Sequence, residues 1–141
     1  MKAITISQPY ASLIASGKKW IENRTWPTNH RGLIAIHAGK GTQYMTRKEM
    51  ADENLPVGQI IAVATLVQCL PIHVIRRNAS SRDKGMTVQG TTYTWEQVAN
   101  HEHAEGPWCW ILDDIVPRVD PLTINGKQRI WTVDAAQAIL L

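Results

Sequence analysis

The chain has 141 residues, 44% of them hydrophobic and 19% charged, with a formal net charge of +3. This is the composition of one globular domain and excludes a disordered chain, while the mild basic bias permits an anionic partner without establishing nucleic-acid binding. Six tryptophans with no phenylalanine is unusual, because tryptophan tends to keep part of its ring or its N–H at a surface or pocket.

In chain order, Lys2-Ala3-Ile4-Thr5-Ile6 alternates and predicts a short strand. The N-terminal MKAITISQPY carries no apolar stretch of the signal-peptide kind. Ser7 is expected to cap a helix over residues 9–16, with proline tolerated in the first turn and Gly17 as the stop. The next ten residues, GKKWIENRTW, set two lysines, a glutamate and an arginine around two tryptophans. A turn from Pro27 to Gly32 then leads into Leu33-Ile34-Ala35-Ile36-His37-Ala38, which predicts a hairpin over residues 20–38.

Thr46-Arg47-Lys48-Glu49 is a capping box and predicts a short helix ending near Asn54. The longest uncharged run, residues 55–75, is long enough to span a bilayer. It is broken by Pro56, Gly58, Gln59, Gln68, Pro71 and His73, so its apolar centre reads as a long central strand over residues 59–70. Cys69 and Cys109 form neither a C-x-x-C motif nor a disulfide framework. The expectation is a cytoplasmic protein without membrane association. Residues 78–90, NASSRDKGMTVQG, read as a loop, and Arg76, Arg77, Arg82 and Lys84 in or beside it as a solvated surface or a backbone-contacting arm. Thr94-Trp95-Glu96-Gln97 predicts a second capped helix. A strand over residues 108–114, a break at Pro117 to Pro121, a strand over 129–133 and a terminal helix after Asp134 complete the chain. Uneven strands, a few short helices and no βαβ regularity predict an α+β domain with a small, partly closed barrel over residues 1–141.

On a strand, Trp20, Glu22, Arg24 and Trp26 would share one face and Ile21, Asn23 and Thr25 the other. The first face suits a flat polar heterocycle. A tryptophan stacks, Glu22 accepts and Arg24 donates along a base edge or to a phosphate, and Lys18 and Lys19 bring positive charge to the mouth. A same-face ion pair between ordinary packing tryptophans is the plainer reading of the same pattern. His37 ends a strand and reads as a satisfied structural histidine, with acid–base work beside Lys19 and Tyr10 as the alternative. His101-Glu102-His103 lacks a third metal ligand at a fixed spacing, and no metal or cofactor is expected. Gly39-Lys40-Gly41-Thr42 lacks the earlier glycine and the hydroxyl after lysine that a phosphate loop requires. Trp108, Trp110 and Leu112 share a face and read as core or pocket wall.

The run Ser7-Gln8-Pro9-Tyr10-Ala11-Ser12-Leu13-Ile14, followed by Gly17-Lys18-Lys19-x-x-Glu22-x-Arg24-x-Trp26, resembles the ASCH domain family, whose fold is a PUA-like mixed β-barrel with a few short helices. The likeness continues in Arg31-Gly32 and Ile36-His37-Ala38. It returns in Gly106-Pro107-Trp108-Cys109-Trp110-Ile111-Leu112-Asp113-Asp114, Pro121-Leu122, Gly126 and Ile130-Trp131. What the resemblance implies is a pocket beside the first helix and strand that takes RNA or a nucleotide-like ligand, with Gln8, Tyr10, Lys18, Lys19, Glu22, Arg24 and Trp26 as the binding residues. Some similar proteins are enzymes, among them N4-acetylcytidine amidohydrolases and a ribonuclease. The amidohydrolase lysine falls on Lys19, but its threonine falls on Glu22, and residues 59–70 offer no carboxylate for its glutamate. If the chain is a hydrolase, Lys19 and Glu22 are the catalytic candidates. A protein-interaction module anchored by tryptophans is the remaining alternative.

Overall fold

The elements, in chain order, are β1 (Lys2–Ile6), α1 (Tyr10–Ala15), β2 (Ile21–Arg24), β3 (Gly32–Ala38), α2 (Arg47–Met50), β4 (Gln59–Pro71), α3 (Ile72–Arg77), β5 (Lys84–Val88), β6 (Thr91–Thr94), α4 (Trp95–Ala99), β7 (Trp108–Thr123), β8 (Ile130–Thr132) and α5 (Ala135–Ala138). They come from a computed structural model that describes residues 1–141. The chain divides into two compact units, and the long strands β4 and β7 contribute to both. No helix is long and apolar enough to cross a membrane.

Unit 1 comprises Met1–Lys18, Leu33–Ala64 and Ile115–Leu141. Within it β1 pairs in parallel with β3 and antiparallel with β8. The run Ile34 to Ala38 is buried at every position, as expected of a strand covered on both faces. Ala3, Ala35, Ile60, Trp131 and Val133 form one core cluster, with Leu122 and Ile124 packed against it. Helix α1 begins at Tyr10, with Pro9 at its N-cap. The cap expected from the Ser7 side chain comes instead from Gln8, whose Oε1 accepts the Ser12 N–H at 3.0 Å; Ser7 supplies only its carbonyl, to the Ala11 N–H. Gly17 ends the helix at φ +80°, a conformation glycine adopts without a Cβ penalty. The expected capping box is present at α2, with Thr46 and Glu49 satisfying each other.

The second half of β7 departs from the expected break and runs as strand through Pro117 and Pro121. Proline is admitted to a strand where its missing N–H faces no partner, and two prolines four residues apart lose their donors on the same side.

Unit 2 comprises Lys19–Gly32 and Thr65–Asp114. Here β2 pairs antiparallel with β7, from Ile21 opposite Ile111 to Arg24 opposite Trp108, and the Leu112 N–H extends the pairing to the Trp20 carbonyl at 2.9 Å. The hairpin expected over residues 20–38 therefore does not form. Its intended strands pair elsewhere, β2 with β7 and β3 with β1, and the connection between them lacks an Asn-Gly or Asp-Gly turn to close a hairpin.

Another hairpin forms where a loop was expected. Strands β5 and β6 pair with Val88 opposite Thr91, across Gln89 and Gly90, both at positive φ (52° and 79°). That is the geometry of a two-residue hairpin turn whose twist matches its strands. Helix α3 also lies where no helix was expected. The expected capping box opens α4, with Thr94 and Gln97 bonded reciprocally, and α4 packs on α3 and on the hairpin.

Candidate functional site

Lys19 is 2% exposed and Glu22 8%, so these two charges of GKKWIENRTW are not part of a solvated face. The Lys19 ammonium donates to the Ile21 carbonyl and to Glu22 Oε1 at 3.0 Å. The other carboxylate oxygen, Oε2, accepts from the Arg24 guanidinium, also at 3.0 Å. One carboxylate thus bridges two cations, and the triad carries a net single positive charge. Removing ions from water is costly unless each is paired and hydrogen-bonded, and here each of the three has a partner. Two of the three Lys19 ammonium protons are thereby committed to acceptors. The Arg24 side chain keeps about a quarter of its surface exposed, so the positive end of the triad reaches solvent.

The opposite face of β2 has a different task. Asn23 Oδ1 accepts from the backbone N–H groups of Glu105 (3.1 Å) and Gly106 (2.7 Å), while its Nδ2 donates to the His103 carbonyl at 2.8 Å. Asn23 therefore holds residues 103–106 against the strand that carries the ionic triad. Cys109 Sγ lies 3.6 Å from the same Oδ1. Burial pushes this thiol up to about 11, so it stays protonated. Asn23 was not among the residues singled out from the sequence. Its signal there is only its place on the face opposite Glu22.

The tryptophans divide by environment. Trp20 is 3% exposed, its ring 4.9 Å from that of Tyr93 and 4.8 Å from His101. It is packed and offers no free face. Trp26 is half-buried, edge-on to Trp110 at 4.9 Å, and its carbonyl accepts the Trp110 indole N–H at 3.3 Å. Of the two, Trp26 is the less buried. His101 and His103 lie 5.6 Å apart, ring to ring, and His101 Nδ1 accepts the His103 N–H.

The remaining sequence candidates lie in unit 1. Gln8 is fully buried, and its amide is committed to α1: Nε2 donates to Ser12 Oγ and to the Pro56 carbonyl, both at 2.8 Å. The Tyr10 ring lies 5.6 Å from Tyr44, and Lys18 is exposed.

His37 has both ring nitrogens engaged, as the structural reading expects. Nε2 meets the Ile124 carbonyl at 2.7 Å and Nδ1 meets Thr5 Oγ1 at 3.2 Å. A carbonyl only accepts, so Nε2 carries the proton. Nδ1 then accepts from Thr5, which in turn accepts the Trp131 indole N–H at 3.2 Å.

Burial holds His37, His101 and His103 below the usual histidine value of 6.5, aided by the charge of Lys40 for His37, of His103 and then Lys19 for His101, and of Lys19 for His103. All three shifts have the same sign. The stability they contribute is complete above pH 6.5 and is lost as the pH falls toward the folded-state values, because the unfolded chain takes up protons first. Urea unfolding between pH 7.5 and 5 should show this decline. His37→Gln should flatten it by up to about 1.4 kcal/mol per pH unit, one proton's worth; an unchanged slope would remove His37 from the account.

With this geometry in place, the comparison with known proteins decides the family. The ASCH domain model matches residues 4–108. The chain belongs to the ASCH domain family. It is 22% identical over 147 residues to human Activating signal cointegrator 1, an alignment that takes in 94% of this chain but only 22% of that protein. The crystal structure of ASCH from Zymomonas mobilis superposes with a TM-score of 0.55 at 17% identity, over 98% of this chain and 90% of that one. A mutant of the same bacterial protein gives a TM-score of 0.54 at 18% identity, over 99% and 95% of the two chains. These likenesses establish the fold as the mixed α+β, PUA-like ASCH type, in agreement with the class expected from the sequence.

Proposed function

We propose that this ASCH domain binds RNA or a nucleotide-like ligand through the Lys19–Glu22–Arg24 triad of unit 2. One observation carries the reading. Glu22 is shared by two cations, which leaves a fixed positive charge whose outer member, Arg24, is partly exposed. Such a site favours an anion, to which it presents the partly exposed end of the guanidinium. Trp26, only half-buried, supplies the stacking contact that single-stranded nucleic acid uses. ASCH domains are, as a family, associated with RNA binding, and the net charge of +3 is compatible with a polyanion. Gln8, its amide already committed, acts by holding the start of α1.

The test is fluorescence anisotropy of a labelled short single-stranded RNA across a range of salt. Binding should weaken steeply as salt rises, and Arg24→Gln should reduce affinity about tenfold. The same variant should lower the slope of log K against log salt by about 0.7, one phosphate contact on a single strand. A folded protein with no saturable binding at low salt would reject this reading.

A further inference from the structure

Unit 1 holds a cavity of its own, of about 670 Å³, lined by eleven residues from the end of β7, β8, α5 and the adjoining loops, among them the one that leads into β4. Its volume lies in the range of small-molecule sites. Two of its lining residues are the cations Lys40 and Lys127, both exposed and neither in an ion pair or hydrogen bond. Against them stands one acidic lining residue, Asp134. Asn125 and Gln137 add uncharged hydrogen-bonding groups, Val57 and Ile124 add apolar surface, and the largely buried Trp131 completes the wall.

Part of this wall is fixed. The Trp131 indole is tied through Thr5 to His37, and His37 is tied to the Ile124 carbonyl, so two lining residues are joined by one hydrogen-bonded chain. The loop across it has no slack at Gly126. A Cβ there would come within 2.6 Å of Thr5 Oγ1 and 2.7 Å of the His37 ring, closer than real Cβ contacts allow. At Gly58, φ is +71° and an added Cβ would lie 2.8 Å from Lys40 Cε, so the lysine stem lies directly over the glycine backbone. The cavity thus combines a braced wall with two uncommitted ammonium groups.

We infer that this cavity is a binding site for a small phosphorylated molecule of about nucleotide size, its phosphate met by Lys40 and Lys127 and its apolar part lying against Val57 and Ile124. Phosphate is the group that two lysines and neighbouring amide donors satisfy together, and the volume leaves room for more than the phosphate. This inference does not depend on the triad of unit 2.

The experiment is a titration followed by ¹H–¹⁵N NMR, using adenosine 5′-monophosphate, adenosine and inorganic phosphate as separate probes. The nucleotide should give saturable shifts at Gly58, Asn125, Gly126 and the Trp131 indole N–H. The double variant Lys40→Ala with Lys127→Ala should weaken that binding about tenfold or more. Both lysines are exposed, so this variant is expected to keep the wild-type spectrum elsewhere. Adenosine and phosphate alone should each shift the same signals at higher concentrations. The inference is overturned if the nucleotide leaves these signals unmoved, if the double variant binds it equally well, or if adenosine alone binds as tightly as the nucleotide. Arg24→Gln, tested in parallel, should leave this titration unchanged; a loss there would place the nucleotide at the triad instead.

Discussion

Glu22→Gln should destabilise the protein by about 3–5 kcal/mol, the usual consequence of removing one partner from a buried ion pair. Two cations share this carboxylate, so its neutralisation leaves the buried Lys19 ammonium without a counter-ion and frees Arg24 from its anchor. For a chain of this size the loss corresponds to a fall in Tm of roughly 10–17 °C. The double variant Lys19→Met with Glu22→Gln tests the cause. Once the buried cation is gone, the carboxylate has less to neutralise, so the double variant should be more stable than Glu22→Gln alone. Thermal and urea unfolding of the four species of this cycle measure the coupling directly. Additive losses, or a Glu22→Gln cost below about 1 kcal/mol as for exposed pairs, would mean that water already screens the triad.

The second large effect is expected at Asn23. Asn23→Ala removes the acceptor for two backbone N–H groups and the donor to the His103 carbonyl, and should cost about 3 kcal/mol if these groups are left unsatisfied. The effect should be local as well as global. Hydrogen exchange at Glu105 and Gly106 should accelerate more than exchange in β1 or β3, because the loop is released before the molecule unfolds. Asn23→Asp keeps the acceptor and loses the donor, so it should recover part of the protection at both amides. Unchanged protection at those amides in Asn23→Ala would show that other contacts hold the loop.

Legibility in the sequence followed the range of the forces involved. Elements set by local chemistry were readable: the alternation of residues 2–6, both capping boxes, Gly17 as a helix stop and the apolar run of β4. Partner choice was not. Strand β2 pairs with a strand more than eighty residues away in the chain, and only the pairing itself carries that information. The β5–β6 hairpin was hidden by its polar composition, although Gln89-Gly90 between β-branched segments is its local trace. At β7, Pro117 and Pro121 looked like a break because a sequence does not show on which flank of a strand a missing N–H falls.

The candidate site was partly legible for the same reason. Period-two alternation put Glu22 and Arg24 on one face, and the structure joins them there. It could not show that Lys19, outside the strand, reaches forward to close the triad, or that Trp20 is consumed by packing against Tyr93 and His101. Gln8 and Tyr10 belong to unit 1. The first is spent on helix capping, a role that only the Ser12 and Pro56 contacts reveal.

The most direct test of the triad as a ligand-binding site is an NMR titration with short single-stranded RNA, observing the Arg24 guanidinium N–H and the Trp26 indole N–H. Saturable movement of both signals, with the Trp20 indole little changed, is the predicted result. Saturable RNA binding that leaves Arg24 and Trp26 unmoved would contradict it and place recognition elsewhere on the domain.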